Sequence, residues 1–253
     1  MKSLRLLAFF VFSWLFFLFL YAPASLLTPL AEKAGARLVA PEGRLWAGQA
    51  RLEAAGLSLD RVEWHFLPAS LLRLRPAVQV HAELPGGVLD AQVAVTFSGH
   101  VEAREVDMAL AADSPLLSSR IPVPLGGVFN LMLSSVDASA RGIEALQGEL
   151  FWEEATVNLG APEALGVLRV ELQVAQGRFT GQLSDMGGPL GVRGQLDSEG
   201  GRLRLEALIT PRPETSPTLR ATLGMLGAPA PDGAIPLRQS LPLPAGVLAP
   251  APS

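Results

Sequence analysis

The feature that most constrains this chain is a charge-free apolar run close to its N-terminus. Residues 6–21 read LLAFFVFSWLFFLFLY, and no charged residue follows the run until Glu32. A helix of about 20 apolar residues spans the hydrocarbon core of a bilayer. About a dozen Leu, Phe and Val side chains favour insertion here by roughly 4–7 kcal/mol. The sequence therefore predicts one transmembrane signal-anchor helix over residues 6–24, marked by Leu6, Phe10, Trp14, Phe17 and Leu20.

Two basic residues, Lys2 and Arg5, precede this run and predict its orientation. Positive charges beside a membrane helix stay in the cytoplasm, so residues 1–5 form a cytoplasmic stub and the rest of the chain lies across the membrane. A cleaved signal peptide is the alternative, because Ala22-Pro23-Ala24 has the small-x-small form of a cleavage site. Both interpretations share one topology, and they differ in whether the chain stays tethered.

Composition excludes several classes of function. The chain has no cysteine, which removes thiol catalysis, iron–sulfur clusters and Cys-type zinc sites. The net charge is −4 and is spread along the chain without a basic stripe, so nucleic acid is not expected as a partner.

Two-residue alternation in short runs bounded by Gly or Pro dominates the rest of the chain. In residues 167–174, Leu168, Val170, Leu172 and Val174 fall on one face and polar residues on the other, which indicates a half-buried strand. Similar runs are residues 44–52, 57–66, 77–84, 88–98, 101–111, 129–133, 146–157, 179–183, 192–196 and 202–208. Antiparallel strands at about ten-residue spacing predict a mainly β domain over residues 25–227, either a curved sheet or sandwich-like.

Outside the predicted membrane helix, the sequence allows helix in two short pieces, residues 26–35 and residues 68–74. Residues 228–253 are rich in Pro, Ala and Gly. Prolines in alternate positions cannot complete a sheet ladder, so this stretch is predicted to be a loose C-terminal tail.

Catalytic and metal-binding patterns are scarce. The three histidines His65, His81 and His100 each sit opposite the apolar positions of their strands, and His81 with Glu83 gives only a weak metal-ligand spacing. No nucleophile elbow, Walker loop or nucleotide-binding fingerprint is present. The sequence predicts a protein that is not an enzyme and that has no cofactor, metal or catalytic residue.

Three tryptophans outside the apolar run are the remaining candidates for a site. Trp46, Trp64 and Trp152 lie in strand patterns with apolar residues two positions away. We interpret them as core anchors of a sheet, or alternatively as aromatic contacts for a partner. For an interaction surface we choose Trp46 and Trp64.

An ordered set of segments follows the apolar run: GRLWAGQARL (43–52), VEWHFLPASLLRLR (62–75), GELFWEEATVNLG (148–160), GQLSDMGGPLGVRGQL (181–196) and LEALITPRP (205–213). Together with the apolar run, this set resembles the type II secretion system protein N family, also called general secretion pathway protein N. The chain departs from the family where a glycine-bearing last strand is expected, because Pro236 and Pro242 interrupt residues 233–243 and Pro244 follows directly.

The resemblance implies a single-pass inner-membrane protein with a periplasmic β domain. It implies an accessory, non-enzymatic role in the machine that exports folded proteins across the Gram-negative outer membrane. The partners would be other type II secretion components in the inner membrane and periplasm, together with membrane lipid. A distant similarity to AsmA-like envelope proteins leaves a second hypothesis, in which a curved sheet binds or conducts lipid in an apolar groove.

Overall fold

The chain is mainly β, and its contacts divide it into two compact units, Met1–Leu84 and Pro85–Ser253. We describe a computed structural model of the protein. The described residues are 10, 13–14, 17–18, 20–33, 35–54, 57–73, 75–96, 99–118, 123–139, 141–158, 160–227, 229–231, 233–243 and 246–249.

The first unit is an antiparallel meander of four described strands. The strands are β1 (Ala36–Arg44), β2 (Ala47–Ala54), β3 (Leu57–Phe66) and β4 (Ala77–Leu84). The helical pieces are α1 (Thr28–Lys33) and two 3-10 helices, Ala24–Leu27 and Pro68–Arg73. Each strand pairs with the next. The core is small and consists of Ala24, Ala50 and Trp64, with Leu27 and Leu38 against them.

The second unit continues the pattern with nine described strands. The strands are β5 (Gly87–Val95), β6 (Val101–Ala111), β7 (Leu125–Ser139), β8 (Gly142–Asn158), β9 (Pro162–Ala175), β10 (Arg178–Asp185), β11 (Leu190–Glu199), β12 (Arg202–Pro211) and β13 (Ile235–Pro242). Consecutive strands pair antiparallel, and among the described residues this sheet does not close. The helices are α2 (Pro115–Ser118) and α3 (Pro217–Leu226).

Apolar side chains of the second unit form two clusters. One cluster centres on Ala91, Val106 and Leu133 in β5, β6 and β7. The other contains sheet residues such as Val192 and Ile209, and it is covered by Leu219 and Leu223 of α3. Because β9 contributes Leu172 to the first cluster and Leu168 to the second, both clusters lie on one face of the sheet.

The start of α3 follows from two adjacent residues. The Oγ of Ser216 accepts a hydrogen bond from the Leu219 N–H at 3.1 Å, and Pro217 occupies the first helical turn. A serine N-cap satisfies an otherwise unpaired amide, and proline at this position has no amide to lose. The Ser216 hydroxyl also donates to the Glu163 carboxylate at 2.5 Å, which ties the helix start to β9.

Replacing Ser216 with alanine should lower the free energy of unfolding by about 1–2 kcal/mol, because the cap is lost. Urea denaturation of the purified protein measures this change. Thr218→Ala is the matched control, since Thr218 is an exposed residue of the same turn. Ser216→Thr should restore most of the difference, and equal midpoints for Ser216→Ala and Thr218→Ala would contradict the capping role.

The prediction of a mainly antiparallel β fold is confirmed, and each unit has one sheet, not the two layers of a sandwich, among its described strands. The helical piece predicted at 68–74 appears as Pro68–Arg73. The one predicted at 26–35 is confined to Ala24–Leu27 and Thr28–Lys33. The sequence reading missed β1, whose register shifts between Val39 and Glu42 and breaks the alternation.

The stretch predicted as a loose tail, residues 228–253, contains strand β13. Pro236 and Pro242 are tolerated there because β13 is an outer strand that pairs only with β12 among the described residues. An outer strand has one side that makes no ladder hydrogen bonds, so a missing amide is harmless there. Proline content alone therefore misled the prediction for this part of the chain.

Residues 246–249 return to the sheet at the start of β8. The Ile143 N–H donates to the Val247 carbonyl, and the Ala249 N–H donates to the Ile143 carbonyl, both at 2.9 Å. These residues lie on the β9 side of β8, beyond the last β8–β9 pair. The four residue-to-residue steps from Leu243, directly after β13, to Val247 span at most about 14 Å. In a flat sheet, the four strand spacings from β13 to the position of β9 beside β8 would need about 19 Å. The second sheet therefore curls at this end.

The predicted anchor is only partly covered by the described residues. Phe10, Trp14, Phe17 and Leu20 have helical backbone and exposed side chains, and the Tyr21 N–H donates to the Phe17 carbonyl at 3.0 Å. Leu6 lies outside the described residues. Within the described part of the chain, we find no helix with the length and apolar character needed to cross a membrane.

Candidate interaction surfaces

The N-terminal segment joins one end of the first sheet. The Leu45 N–H donates to the Ala22 carbonyl at 2.8 Å, and Pro23 forms an isolated antiparallel bridge with Arg44. The Arg44 guanidinium carbon lies 4.6 Å from the centre of the Tyr21 ring. We call this end of the sheet the anchor end; it comprises residues 21–23, the β1–β2 turn at 45–46 and the described residues of the β3–β4 connection, 67–73 and 75–76.

Trp64 is a core residue of the first unit. Its side chain is 6% exposed, and its indole N–H donates to the Leu45 carbonyl at 3.1 Å. A Cβ on Gly48 would lie 2.7 Å from Cζ2 of Trp64, so glycine is required for β2 to pass the ring. The ring also packs against Ala24, which is 1% exposed. Of the two interpretations of Trp64, the structure places it in the core.

Trp46 and Trp152 are both half-buried and held by aromatic neighbours. Trp46 lies in the β1–β2 turn, with its ring centre 5.0 Å from that of Phe66 in an edge-on arrangement. Trp152, on β8, stacks on Phe129 at 5.1 Å and donates its indole N–H to the Gly126 carbonyl at 3.0 Å. Trp152 lies in the second unit, whereas Trp46 and Trp64 lie in the first.

A polar groove of about 810 Å³ crosses β6 to β11 in the second unit. The carboxylates that line it are Glu105, Asp107, Glu149, Glu171 and Asp197. Arg169 lies between two of them, with Nη2 2.6 Å from Glu149 Oε1 and 3.1 Å from Glu171 Oε1. The groove therefore presents an excess of negative charge, which suits positively charged groups.

Asp185 and Arg212 form the most enclosed ion pair described, with an oxygen–nitrogen distance of 2.5 Å. The Asp185 side chain is 10% exposed and also accepts the Val192 N–H at 2.8 Å. Burial raises the pKa of Asp185, but the hydrogen bonds from Val192 and Arg212 and the guanidinium charge outweigh burial and hold that pKa below its ordinary value.

The same pair fastens two loops to each other. Arg212 donates to the Gly188 carbonyl at 2.7 Å, and Thr215 donates to the Pro189 carbonyl at 2.6 Å. The β10–β11 loop is thus held to the segment that leads into α3. Sequence reasoning missed this network, because its partners are 27 positions apart and no periodic pattern relates them.

His65 lies on β3, His81 on β4 and His100 just before β6. His65 is exposed, and Glu83, the proposed neighbour of His81, lies 3.6 Å from Arg61. His100 lies 3.6 Å from Glu144. The pKa of Glu144 is below its ordinary value, and the largest cause is the hydrogen bond that Ser139 donates to it. No group of three His, Asp or Glu side chains with the arrangement of metal ligands occurs within the described ranges.

The described strands define a mainly β protein. The family profile described as "Type II secretion system (T2SS), protein N" matches residues 34–238. A "Type II secretion system protein N" of Aeromonas hydrophila is 30% identical, over 94% of this chain and 97% of that protein. A protein of the same name from Pectobacterium carotovorum subsp. carotovorum is 27% identical, over 66% of this chain and 79% of its own length. No solved structure matches.

The chain belongs to the type II secretion system protein N family. The family profile covers well over half of the sequence, and the Aeromonas relative aligns over nearly all of it. The resemblance seen in the ordered sequence segments is therefore confirmed, and the protein is a component of a type II secretion system.

Proposed function

We propose that this protein is a non-enzymatic, inner-membrane accessory component of the type II secretion apparatus. One N-terminal helix would hold it in the membrane, with both sheet units on the periplasmic side. Attachment to the membrane raises the effective concentration of the units for partners in the same membrane. The family membership and the apolar run at residues 6–21 support this proposal.

The uncleaved anchor is supported mainly by the contacts that residues 22–24 make with the first sheet. The Ala22 carbonyl accepts the Leu45 N–H, Pro23 bridges to Arg44, and Ala24 is buried against Trp64. Cleavage after Ala24 would remove all three from the first unit. A folded body that depends on these residues favours an uncleaved anchor over a signal peptide.

The intact mass of the protein purified from membranes tests retention. A mass that includes residues 1–24 supports the anchor, whereas loss of these residues overturns it. A reporter fused after Ser253 tests topology. A reporter enzyme that works only outside the cytosol should be active when it is fused after Ser253. Activity of a reporter that works only in the cytosol would contradict the periplasmic placement.

Deleting the gene should reduce export of type II substrates under conditions that require the system. Complementation with the full chain should restore export. A chain whose residues 1–24 are replaced by a cleavable signal peptide should restore it less well, since tethering and the Ala22–Leu45 contact are both lost. Unchanged export after deletion would contradict the proposed role.

A second candidate function is lipid handling by the second unit. Its support is the apolar face around Ala91, Val106 and Leu133, where the surrounding side chains are only partly buried. The described groove on the polar face does not suit acyl chains, because carboxylates and amides line it.

Lipid extraction after purification in mild detergent separates the two candidates. A stoichiometric phospholipid would favour lipid handling, and copurifying secretion components without such a lipid would favour the accessory role.

A further inference from the structure

We propose that the anchor end of the first sheet lies in the headgroup layer of the membrane, where Tyr21, Trp46 and Leu71 contact lipid and Arg44 binds lipid phosphate. This inference rests on the membrane anchor proposed above. It adds a second, tertiary contact between the protein and the bilayer, made by residues that are far from the anchor in sequence.

The first argument is the direct connection between anchor and sheet. The isolated bridge between Pro23 and Arg44 and the 2.8 Å hydrogen bond between Leu45 and Ala22 leave no linker between them. The β1–β2 turn is therefore held at the point where the predicted membrane helix ends.

The second argument is the length of the apolar run. The predicted helix covers residues 6–24, but residues 22–24 pair with or pack in the first sheet. The remaining 16 residues, 6–21, rise about 24 Å as an α-helix. The hydrocarbon core is about 30 Å thick, so such a helix falls short by about 6 Å. A helix that is too short draws its flanking residues toward the bilayer. Those residues are the ones bonded to the β1–β2 turn.

The third argument is the chemistry of the anchor end. Tyr21 is 63% exposed and Leu71, in the 3-10 helix Pro68–Arg73, is 52% exposed. Trp46 is half-buried beside Phe66. Tyrosine and tryptophan are enriched at headgroup depth, and arginine extends its charge toward phosphate while its stem stays in apolar surroundings. Arg44 is exposed, and its guanidinium stacks on Tyr21.

The β3–β4 connection is rigid enough to present Leu71 at a fixed place. The Ser70 hydroxyl donates to the Leu67 carbonyl at 2.6 Å and accepts the Ala77 N–H at 2.9 Å. In a meander, this connection and the β1–β2 turn lie at the same end of the sheet, and the 2.6 Å bond from the Phe66 N–H to the Trp46 carbonyl joins them.

The opposite end of the same sheet has a different character. Exposed charged residues lie toward that end, including Asp60, the fourth residue of β3, which pairs with Arg51 of β2 at 3.6 Å. The acidic residue closest to Arg44 in the sequence, Glu42, accepts a hydrogen bond from Gln49 at 2.9 Å. The anchor end of the sheet is thus aromatic, apolar and cationic, and the opposite end is charged. This difference is expected if the anchor end faces the membrane and the opposite end faces water.

The absence of cysteine makes a depth measurement direct. Leu71→Cys and, as the matched control at the other end, Asp60→Cys each introduce a single exposed thiol for a fluorescent label. The full chain is reconstituted in vesicles of phosphatidylethanolamine and phosphatidylglycerol that carry nitroxide-labelled headgroups. We expect quenching at position 71 to exceed quenching at position 60 several-fold. Equal quenching at both positions would overturn the proposal.

Flotation of the same vesicles distinguishes failure of the headgroup contact from failure of the membrane anchor on which it rests. If the protein does not float with the vesicles, the anchor itself is wrong. If it floats but position 71 is quenched no more than position 60, only the headgroup contact is wrong.

Arg44→Gln in the Leu71→Cys background tests the phosphate contact. One arginine near an anionic surface shifts binding by about fivefold, so the ratio of quenched to unquenched label should fall by about that factor. Circular dichroism checks that the variant is folded. An unchanged ratio would overturn the role of Arg44.

Discussion

Replacing Trp64 with alanine should lower the free energy of unfolding by about 3–5 kcal/mol, the usual cost of deleting a buried large aromatic side chain. The ring is 6% exposed and packs against Ala24 and Ala50. Its loss also leaves the Leu45 carbonyl without its 3.1 Å hydrogen bond. The small core of the first unit has few other side chains that could fill the cavity.

Urea denaturation in detergent micelles, followed by far-ultraviolet circular dichroism, measures this effect without relying on tryptophan fluorescence. Trp46→Ala is the matched control, because Trp46 is half-buried in the adjacent turn, and it should cost about 1–2 kcal/mol. If the two variants unfold at the same urea concentration, Trp64 is not the core anchor of this unit.

Replacing Asp185 with alanine should cost about 2–4 kcal/mol, because breaking an enclosed ion pair leaves its partner charge without compensation. We place the value below the upper limit for fully buried pairs because the Arg212 side chain is 37% exposed. The loss of the Val192 and Arg212 hydrogen bonds should loosen the β10–β11 loop and the start of α3 together. In a protein of this size, 1 kcal/mol corresponds to about 2–4 °C in Tm.

Asp197→Ala is the control for Asp185→Ala. Asp197 is an exposed carboxylate of the groove on the neighbouring strand, so its removal should leave Tm almost unchanged. A similar Tm for the two variants would show that the Asp185–Arg212 pair does not stabilise the protein.

The contribution of Asp185 should depend on pH. Its pKa in the folded protein is below the ordinary value of 3.8. The unfolded chain therefore takes up the proton first as the pH falls. The stabilisation is fully present above about pH 4 and is lost as the pH falls through the folded-state pKa. Unfolding midpoints of the wild type and Asp185→Asn should converge in acid, and a constant difference from pH 7 to pH 2 would contradict this assignment.

Strands with clear alternation were predictable from the sequence, and elements defined by long-range pairing were not. Residues 167–174 and 202–208 alternate strictly and lie within β9 and β12. Strand β13 was hidden by Pro236 and Pro242, which are tolerated because this outer strand pairs only with β12 among the described residues. Helix α3 was missed although Ser216 followed by Pro217 is a recognisable start signal.

The candidate surfaces were less predictable than the strands, for a physical reason. Alternation predicted strand context for both Trp46 and Trp64, but Trp46 lies in the β1–β2 turn. Alternation also does not show which ring the core encloses. That depends on the register of β2 and β3, which places Gly48 opposite Trp64. The anchor end likewise depends on contacts between Ala22 and Leu45, which no local pattern specifies.

The prolines of β13 have a consequence for how the protein behaves at high concentration. The Leu243 N–H points toward β12, where it meets the Gly201 carbonyl. The backbone N–H and C=O groups of the even-numbered residues in β13 therefore point away from β12. Among these residues, Pro236 and Pro242 have no amide proton to donate. The outward Ser240 carbonyl already accepts a hydrogen bond from Arg202 at 3.4 Å. A second copy that tried to extend this sheet would find an incomplete ladder, which disfavours strand pairing between neighbouring molecules at this edge.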